Sequence, residues 1–431
     1  MIGRWGVRRA RARDLSCVPA VVPSNLLRRR PVNYGVNRKR VAGLDGVRGL
    51  CALYVMLFHC WAYTFRGFPR YRGPEWLSWL GFGRLSVVLF LILSGFSLAL
   101  AAARNDWRLG SLARYARRRA WRILPAYWAA LAFSLVIAWA VVRQPHSAEP
   151  TAGSVVVYTL LLQDLFAVPT PNGAFWSIGA EALLYGVLPV LLILCRRFGP
   201  AAMLAVVTLP VIVIGFVVFD GSPPQGDNWM APHLVPAFAA GVVAAGVVAA
   251  GDRFRRLPWA VLSVLAAIPA GALVLHQGAR WMVNHYYWVD LVVVPAMTLF
   301  VLAVASGRPA ALVRLLDSSP LRRLGSFSYS LYLIHLPIVV VIGLKLVAPR
   351  LGHGTAAFTV TTVLAGGLSL ICAWFFAKVF ELPFRSWADV RNAIRAAVPA
   401  RSPSRPVRES ALLLDAVPDL RAHPGRPVPP V

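Results

Sequence analysis

Leu44-Asp45-Gly46-Val47-Arg48-Gly49-Leu50-Cys51-Ala52-Leu53-Tyr54-Val55-Met56-Leu57-Phe58-His59 is an apolar run broken by one acid and two bases. Written as a helix, the eleven steps from Arg48 to His59, about 100° each, come to roughly three turns plus 20°. Both side chains therefore point the same way, about 16 Å apart along the axis. The run, extended to residue 63, has near the ~20 residues that cross a bilayer. Ionisable side chains are costly inside a membrane helix, and an intramembrane pair points by default to a functional site.

Long apolar runs recur outward from this one. The 431 residues are 58% hydrophobic and 14% charged, with mean hydropathy +0.62. Soluble domains are nearer 45–50% apolar and about 25% charged. The runs are too long and too uniformly apolar for the alternating strands of a membrane barrel. The fold expected is an all-α polytopic membrane protein of about ten transmembrane helices with both termini cytoplasmic. A net charge of +28 invites a nucleic-acid reading. The arginines, however, sit between the apolar runs and at the two ends, where anionic headgroups attract them. The partner expected is the lipid bilayer, and no nucleic acid. The five cysteines, Cys17, Cys51, Cys60, Cys195 and Cys372, form no C-x-x-C pair. They suggest neither a disulfide framework nor a metal site. The Arg-rich N-terminus lacks a compact apolar segment followed by a cleavage site, so no cleaved signal peptide is expected.

Residues 1–43 read as a basic, largely disordered cytoplasmic tail, 44–386 as the transmembrane domain, and 387–431 as a polar Pro/Arg-rich cytoplasmic tail. The expected spans are 44–63, 83–103, 122–142, 178–195, 201–219, 232–250, 258–277, 286–306, 326–347 and 356–379. The apolar stretch 154–168 is ambiguous. If it does not cross, the basic clusters at Arg104–Arg122, Arg196-Arg197, Arg253–Arg256 and Arg308–Arg323 fall on one side with both tails. If it crosses, that asymmetry largely disappears. The positive-inside rule therefore favours ten spans, with 154–168 at the outer surface or re-entrant.

Five stretches carry polar groups where chemistry needs them. In the first, Asp45 is three residues before Arg48 and can neutralise it. His59, titrating near working pH, suits a general base. The bland alternatives are an interfacial anchor pair and a packing histidine. In Phe90-Leu91-Ile92-Leu93-Ser94-Gly95-Phe96, Ser94 either lines a cavity or marks a close-packing point for another backbone. Arg119 and Arg122, three apart at the mouth of a span, are either ordinary cytoplasmic charge or a fork for the phosphates of a cofactor. In Phe175-Trp176-Ser177-Ile178-Gly179-Ala180-Glu181, Ser177 suits an N-cap, and Glu181 and Tyr185 follow on one face at steps of four. Glu181 needs a partner or a proton. A contact with His59 would orient the imidazole, and favourable interaction with the helix dipole is the alternative. In the last, Ser328, Tyr332 and His335 form a polar stripe facing protein or a water-filled cavity. Beyond it, Glu381 and Arg385 suggest an interfacial clasp.

Taken in order, these stretches resemble the acyltransferase 3 family of integral-membrane O-acyltransferases. The likeness covers about residues 41–386. It rests on Leu44-Asp45-Gly46-x-Arg48 with His59, Phe90-x-x-x-Ser94-Gly95-Phe96, Arg118-Arg119-x-x-Arg122-Ile123-x-Pro125, Trp176-Ser177-x-x-x-Glu181-x-x-x-Tyr185, and Ser328-Tyr329-Ser330-Leu331-Tyr332-Leu333-x-His335 followed by Glu381-x-Pro383-x-Arg385. Ile178 and Gly179 depart from the commoner Ser-Leu-Ser type sequence after the tryptophan. Many relatives carry a further extracytoplasmic hydrolase-like domain, and residues 387–431 are read as not supplying one.

The resemblance implies an enzyme of the plasma (inner) membrane. It would move an acyl group, most commonly acetyl from acetyl-CoA, onto a hydroxyl of a glycan or glycosylated metabolite. It implies Arg48, His59 and Glu181 as the essential residues, with no permanently bound cofactor and acetyl-CoA as donor substrate. Arg119 and Arg122 would face the CoA phosphates, and Asp45, Ser94, Trp176, Ser177, Tyr185, Ser328, Tyr332 and His335 would line the cavity. The Arg48-to-His59 face would line a channel for the acyl-pantetheine arm. A transporter moving a glycan or acylated molecule without covalent chemistry is the alternative, although no inverted repeat is evident.

Overall fold

A computed structural model describes residues 41–65, 73–217 and 231–384. The two expected tails, apart from residues 41–43, and Arg385 lie outside the described residues. The chain divides into Met1–Val41 and Ala42–Val431, and the described helices all belong to the second unit. They are α1 (Leu44–Thr64), α2 (Gly83–Ala103, preceded by a 3₁₀ segment Glu75–Phe82), α3 (Leu112–Ala140), α4 (Ala152–Thr159), α5 (Trp176–Phe198), α6 (Pro200–Val217), α7 (Leu234–Ala249), α8 (Trp259–Asn284), α9 (Tyr286–Ser306), α10 (Ala310–Leu316) and α11 (Ser319–Ser326). Two more, α12 (Ser328–Leu351) and α13 (Thr355–Phe384), carry π-helical stretches within them.

Each of the ten expected spans coincides with a helix. Among the described residues, eight helices are long and apolar enough to cross a membrane. The other two are α1, whose 21 residues include the ionisable groups, and α7, with 16 residues. The stretch 154–168 forms no span. Thr151 and Ser154 close a capping box at the start of α4, the helix ends after eight residues, and turns come next. Eight residues rise only about 12 Å, well short of a bilayer core.

The core surrounds α1, which packs against α2, α11 and α12. A large buried cluster joins Ala52, Val55 and Met56 of α1 to Tyr127 and Leu131 of α3 and Leu333 of α12. In contrast, none of the apolar window of α8 is buried, as for a helix whose surface meets lipid. Helices α2 and α7 meet backbone to backbone. A methyl group on Gly95 would collide with the carbonyl oxygen of Phe238, and one on Gly241 with that of Ile92. Small residues let membrane helices approach backbone to backbone in this way, where lipid offers no hydrophobic drive. Gly95 is thus the packing point that the Ser94-Gly95 step suggested.

Candidate active site

Helices α1 and α12 bring two histidines together. His59 Nδ1 lies 2.9 Å from His335 Nε2 and 2.9 Å from the Val55 carbonyl oxygen. His335 Nδ1 faces the carbonyl oxygens of Leu331 at 3.0 Å and Tyr332 at 2.8 Å. Carbonyls only accept, so the proton of a neutral His335 belongs on Nδ1, leaving its Nε2 as an acceptor. His59 then donates from Nδ1, and its own Nε2 keeps a lone pair. That nitrogen has no partner among the described residues, and His59 lines a cavity of about 700 Å³. His335 is fully buried, so the pair offers one basic nitrogen to the cavity and holds the other three in fixed bonds.

Arg48 lies elsewhere. The cavity meets α1 only at Val55, Phe58 and His59, and Arg48 is about 16 Å away along the helix. The expectation that both groups line one passage is corrected accordingly for this cavity. Arg48 Nη2 donates to Ser97 Oγ at 2.6 Å, and Nη1 donates to Asp45 Oδ1 at 3.3 Å. Asp45 thus does neutralise the guanidinium one turn away. Arg48 also feels the charges of Arg122 and Glu181, and Tyr185 those of Glu181, Arg119 and Arg122. These groups form a second polar layer toward the arginine-rich end.

Glu181 belongs to that layer, and its expected contact with His59 is not formed. Its Oε1 accepts hydrogen bonds from Tyr185 at 2.6 Å and from Ser94. The reason is depth. Five helical steps along α5 separate Glu181 from Trp176, which borders the cavity, and carry the carboxylate about 7.5 Å further along the axis. At that level the neighbour is Ser94. His335 takes the place beside His59 that Glu181 was expected to fill.

The remaining candidates divide between these layers. Tyr332 lines the cavity, donates to the Ala174 carbonyl at 3.1 Å and meets Ser177 Oγ at 2.6 Å. Trp176 also borders the cavity. Ser328, at the first position of α12, turns back to the Gly325 carbonyl at 2.9 Å and does not join Tyr332 and His335. Glu381, expected at an interface, is buried and accepts a hydrogen bond from Ser330 at 2.7 Å.

The Gly179 departure has a structural counterpart. A Cβ there would stand 2.5 Å from Asp164 Oδ2 and 2.7 Å from Gln163 Nε2, so α5 packs against the loop that supplies both cavity residues. Burial pushes the Asp164 carboxyl up from 3.8 to about 7. The folded protein therefore binds more protons than the unfolded chain between these values, and stability falls as pH rises through that window. Asp164→Asn is expected to match the parent near pH 3.5, below the unfolded value, and to melt at a higher temperature near pH 8. Equal melting temperatures at both pH values would refute this.

Sequence reasoning missed a third group on the cavity wall. Arg84 pairs with Asp290 at 2.9 Å beside His233. Asp290, five residues into an apolar run, satisfied the same rule that drew notice to Arg48 and His59.

Helical spans carrying polar side chains inward to a base-lined cavity and a cationic layer define a membrane-embedded enzyme scaffold. The acyltransferase 3 family model, an acyltransferase domain, matches residues 41–378. The chain belongs to this family, and it is a membrane acyltransferase. It is similar to the acyltransferase MdmB of Streptomyces mycarofaciens, 28% identical over 77% of this chain and 86% of that protein. It is also similar to the peptidoglycan O-acetyltransferase OatA of Listeria monocytogenes, 22% identical over 76% of this chain and 54% of that protein. The O-acetyltransferase OatA of Staphylococcus aureus is 25% identical over 69% of this chain and 50% of that protein. The match thus spans about half the length of both OatA proteins. No solved structure matches.

Proposed function

We propose that the protein transfers an acetyl group from acetyl-CoA to a hydroxyl of a glycan or glycosylated metabolite, with His59 as general base. The observation that carries this reading is the histidine pair, which leaves His59 Nε2 as a lone-pair nitrogen at the cavity wall. The names of the OatA relatives support a glycan acceptor and an acetyl group. The positive-inside pattern supports a cytoplasmic Arg48 end. Arg119 and Arg122 would then meet the CoA phosphates, and the His59 cavity would receive the acceptor from the outer side of the plasma membrane. Glu181 serves the cationic layer by holding Ser94 and Tyr185.

Membranes containing the protein, given acetyl-CoA labelled in the acetyl group, are expected to place label covalently on envelope glycan or secreted glycoside. Label that remains on CoA under all acceptor conditions would overturn the assignment.

His335 acts through His59. When His59 takes the acceptor proton, His335 Nε2 accepts from the resulting imidazolium and fixes its ring. His335→Ala is expected to lower kcat about 10- to 100-fold, less than the 10²–10⁴-fold that a base itself contributes. His335→Gln, whose carbonyl can still accept, is expected to recover part of the loss. The pH–rate profile should shift in the alanine variant. An unmoved profile with equal kcat would leave His335 a packing residue.

A further inference from the structure

The His59 cavity holds a cation that proton transfer to His59 does not use. Arg84, on the first turn of α2, donates from Nε to Asp290 Oδ2 at 2.9 Å. Its Nη2 lies 3.0 Å from His233 Nε2, and that nitrogen is 3.2 Å from Asp290 Oδ2. The guanidinium also lies over two rings, 4.6 Å from the centroid of Trp176 and 4.2 Å from that of Tyr286. Asp290 and His233 are buried, while the Arg84 side chain keeps 29% of its exposure and borders the cavity. Nη1 has no partner among the described residues.

The first turn of α2 is also fixed against α1. Gly83 packs so tightly on the Phe58 ring that a Cβ there would overlap it. Arg84 and His59 therefore flank one close contact between their helices. A buried ion pair of this kind costs desolvation and contributes little net stability. What it delivers is a guanidinium locked on two sides, stacked on rings, and presenting one N–H edge to the chamber that holds the base. Two other cavity donors are committed to backbone carbonyls: Tyr332 to that of Ala174 and the Gln163 amide to that of Phe175 at 2.9 Å.

We propose that the Nη1 edge of Arg84 stabilises the oxyanion of acyl transfer. This rests on His59 as base. The acceptor hydroxyl gives its proton to His59 Nε2 as its oxygen bonds to the thioester carbonyl carbon. The carbonyl electron pair moves to oxygen, where Arg84 donates to it. Collapse restores the carbonyl and breaks the C–S bond, and the departing sulfur takes the proton from His59. The products are an ester and a free thiol, with no net proton change. Donors fixed in advance at a developing charge are worth about 10²–10³ in kcat each.

The test uses the full chain in membranes, varying acetyl-CoA against a fixed envelope-glycan extract and then the reverse. Arg84→Ala is expected to lower kcat about 100- to 1000-fold with half-saturation for both substrates within a few-fold. Added guanidinium ion should restore part of the rate, and Arg84→Lys should be intermediate. Near-parental kcat with a raised requirement for extract would overturn the proposal and make Arg84 an acceptor-binding residue. Loss of rate without guanidinium rescue would make it structural. If Arg84→Ala does not accumulate, Arg84→Lys decides, full activity counting against the proposal. His59→Ala assayed alongside separates this outcome from failure of the base assignment, since only the latter predicts parental turnover in that variant.

Discussion

His59→Ala is expected to abolish acyl transfer while the protein accumulates in membranes at its usual level. Alanine removes the nitrogen that takes the acceptor proton, and a positioned base contributes about 10²–10⁴-fold. The fold should survive because the lost ring borders a cavity rather than filling the core. Its main packing partners are Phe58 and Tyr63 from its own helix and His335. One competing effect sets the floor. With His59 gone, His335 Nε2 loses its donor and faces the vacated space as a displaced base, so any residual rate should vanish in the double variant His59→Ala/His335→Ala. The measurement is label transferred from acetyl-CoA per unit of protein. Undiminished turnover in the single variant would dismiss His59 as the base.

The helices were legible in the sequence because run length alone fixes them: ten apolar stretches became ten helices. The eight-residue α4 shows why 154–168 could not be one more, since its capping box and the turns after it stop it early. Depth within one helix was legible, because residue number converts directly to height. The relative height and rotation of different helices were not. His59 and Glu181 were assigned compatible heights, yet Glu181 sits about 7.5 Å further along α5 than Trp176 at the cavity wall, and no spacing within one helix contains how α1, α5 and α12 are set against one another. Tyr332 and His335 were legible as one face. Ser328 dropped out because a serine at the start of a helix bonds more readily to the preceding turn, here Gly325. Arg84, near the start of the second span, was not singled out in the sequence. Its significance comes from Asp290 and His233, which lie some two hundred and one hundred and fifty positions away in the chain.

Gly241→Leu is expected to lower the melting temperature of the detergent-solubilised protein steeply and to prevent its accumulation as a monodisperse species. Even an alanine Cβ at this position would strike the carbonyl oxygen of Ile92 and crowd the backbone nitrogen of Phe96. Backbone atoms cannot rotate away as a side chain can, so α7 must move off α2. Overpacking a well-filled site costs about 1–3 kcal/mol and more where the neighbour is rigid. The reciprocal contact of Gly95 with Phe238 would open with it. The damage reaches the site because these two helices carry His233 near the start of α7 and Arg84, Ser94 and Ser97 on α2. Separating them strains the Arg84–Asp290–His233 cluster and the Ser94 contact to Glu181 together. Gly271→Ala is the control. It lies in α8, with nothing within 4 Å of the new Cβ, and should leave the melting temperature unchanged or raise it, since alanine is favoured over glycine within a helix by about 0.5–1 kcal/mol. If Gly241→Leu melted with the parent, the backbone contact between α2 and α7 would not be what holds the two halves of the cavity wall in register.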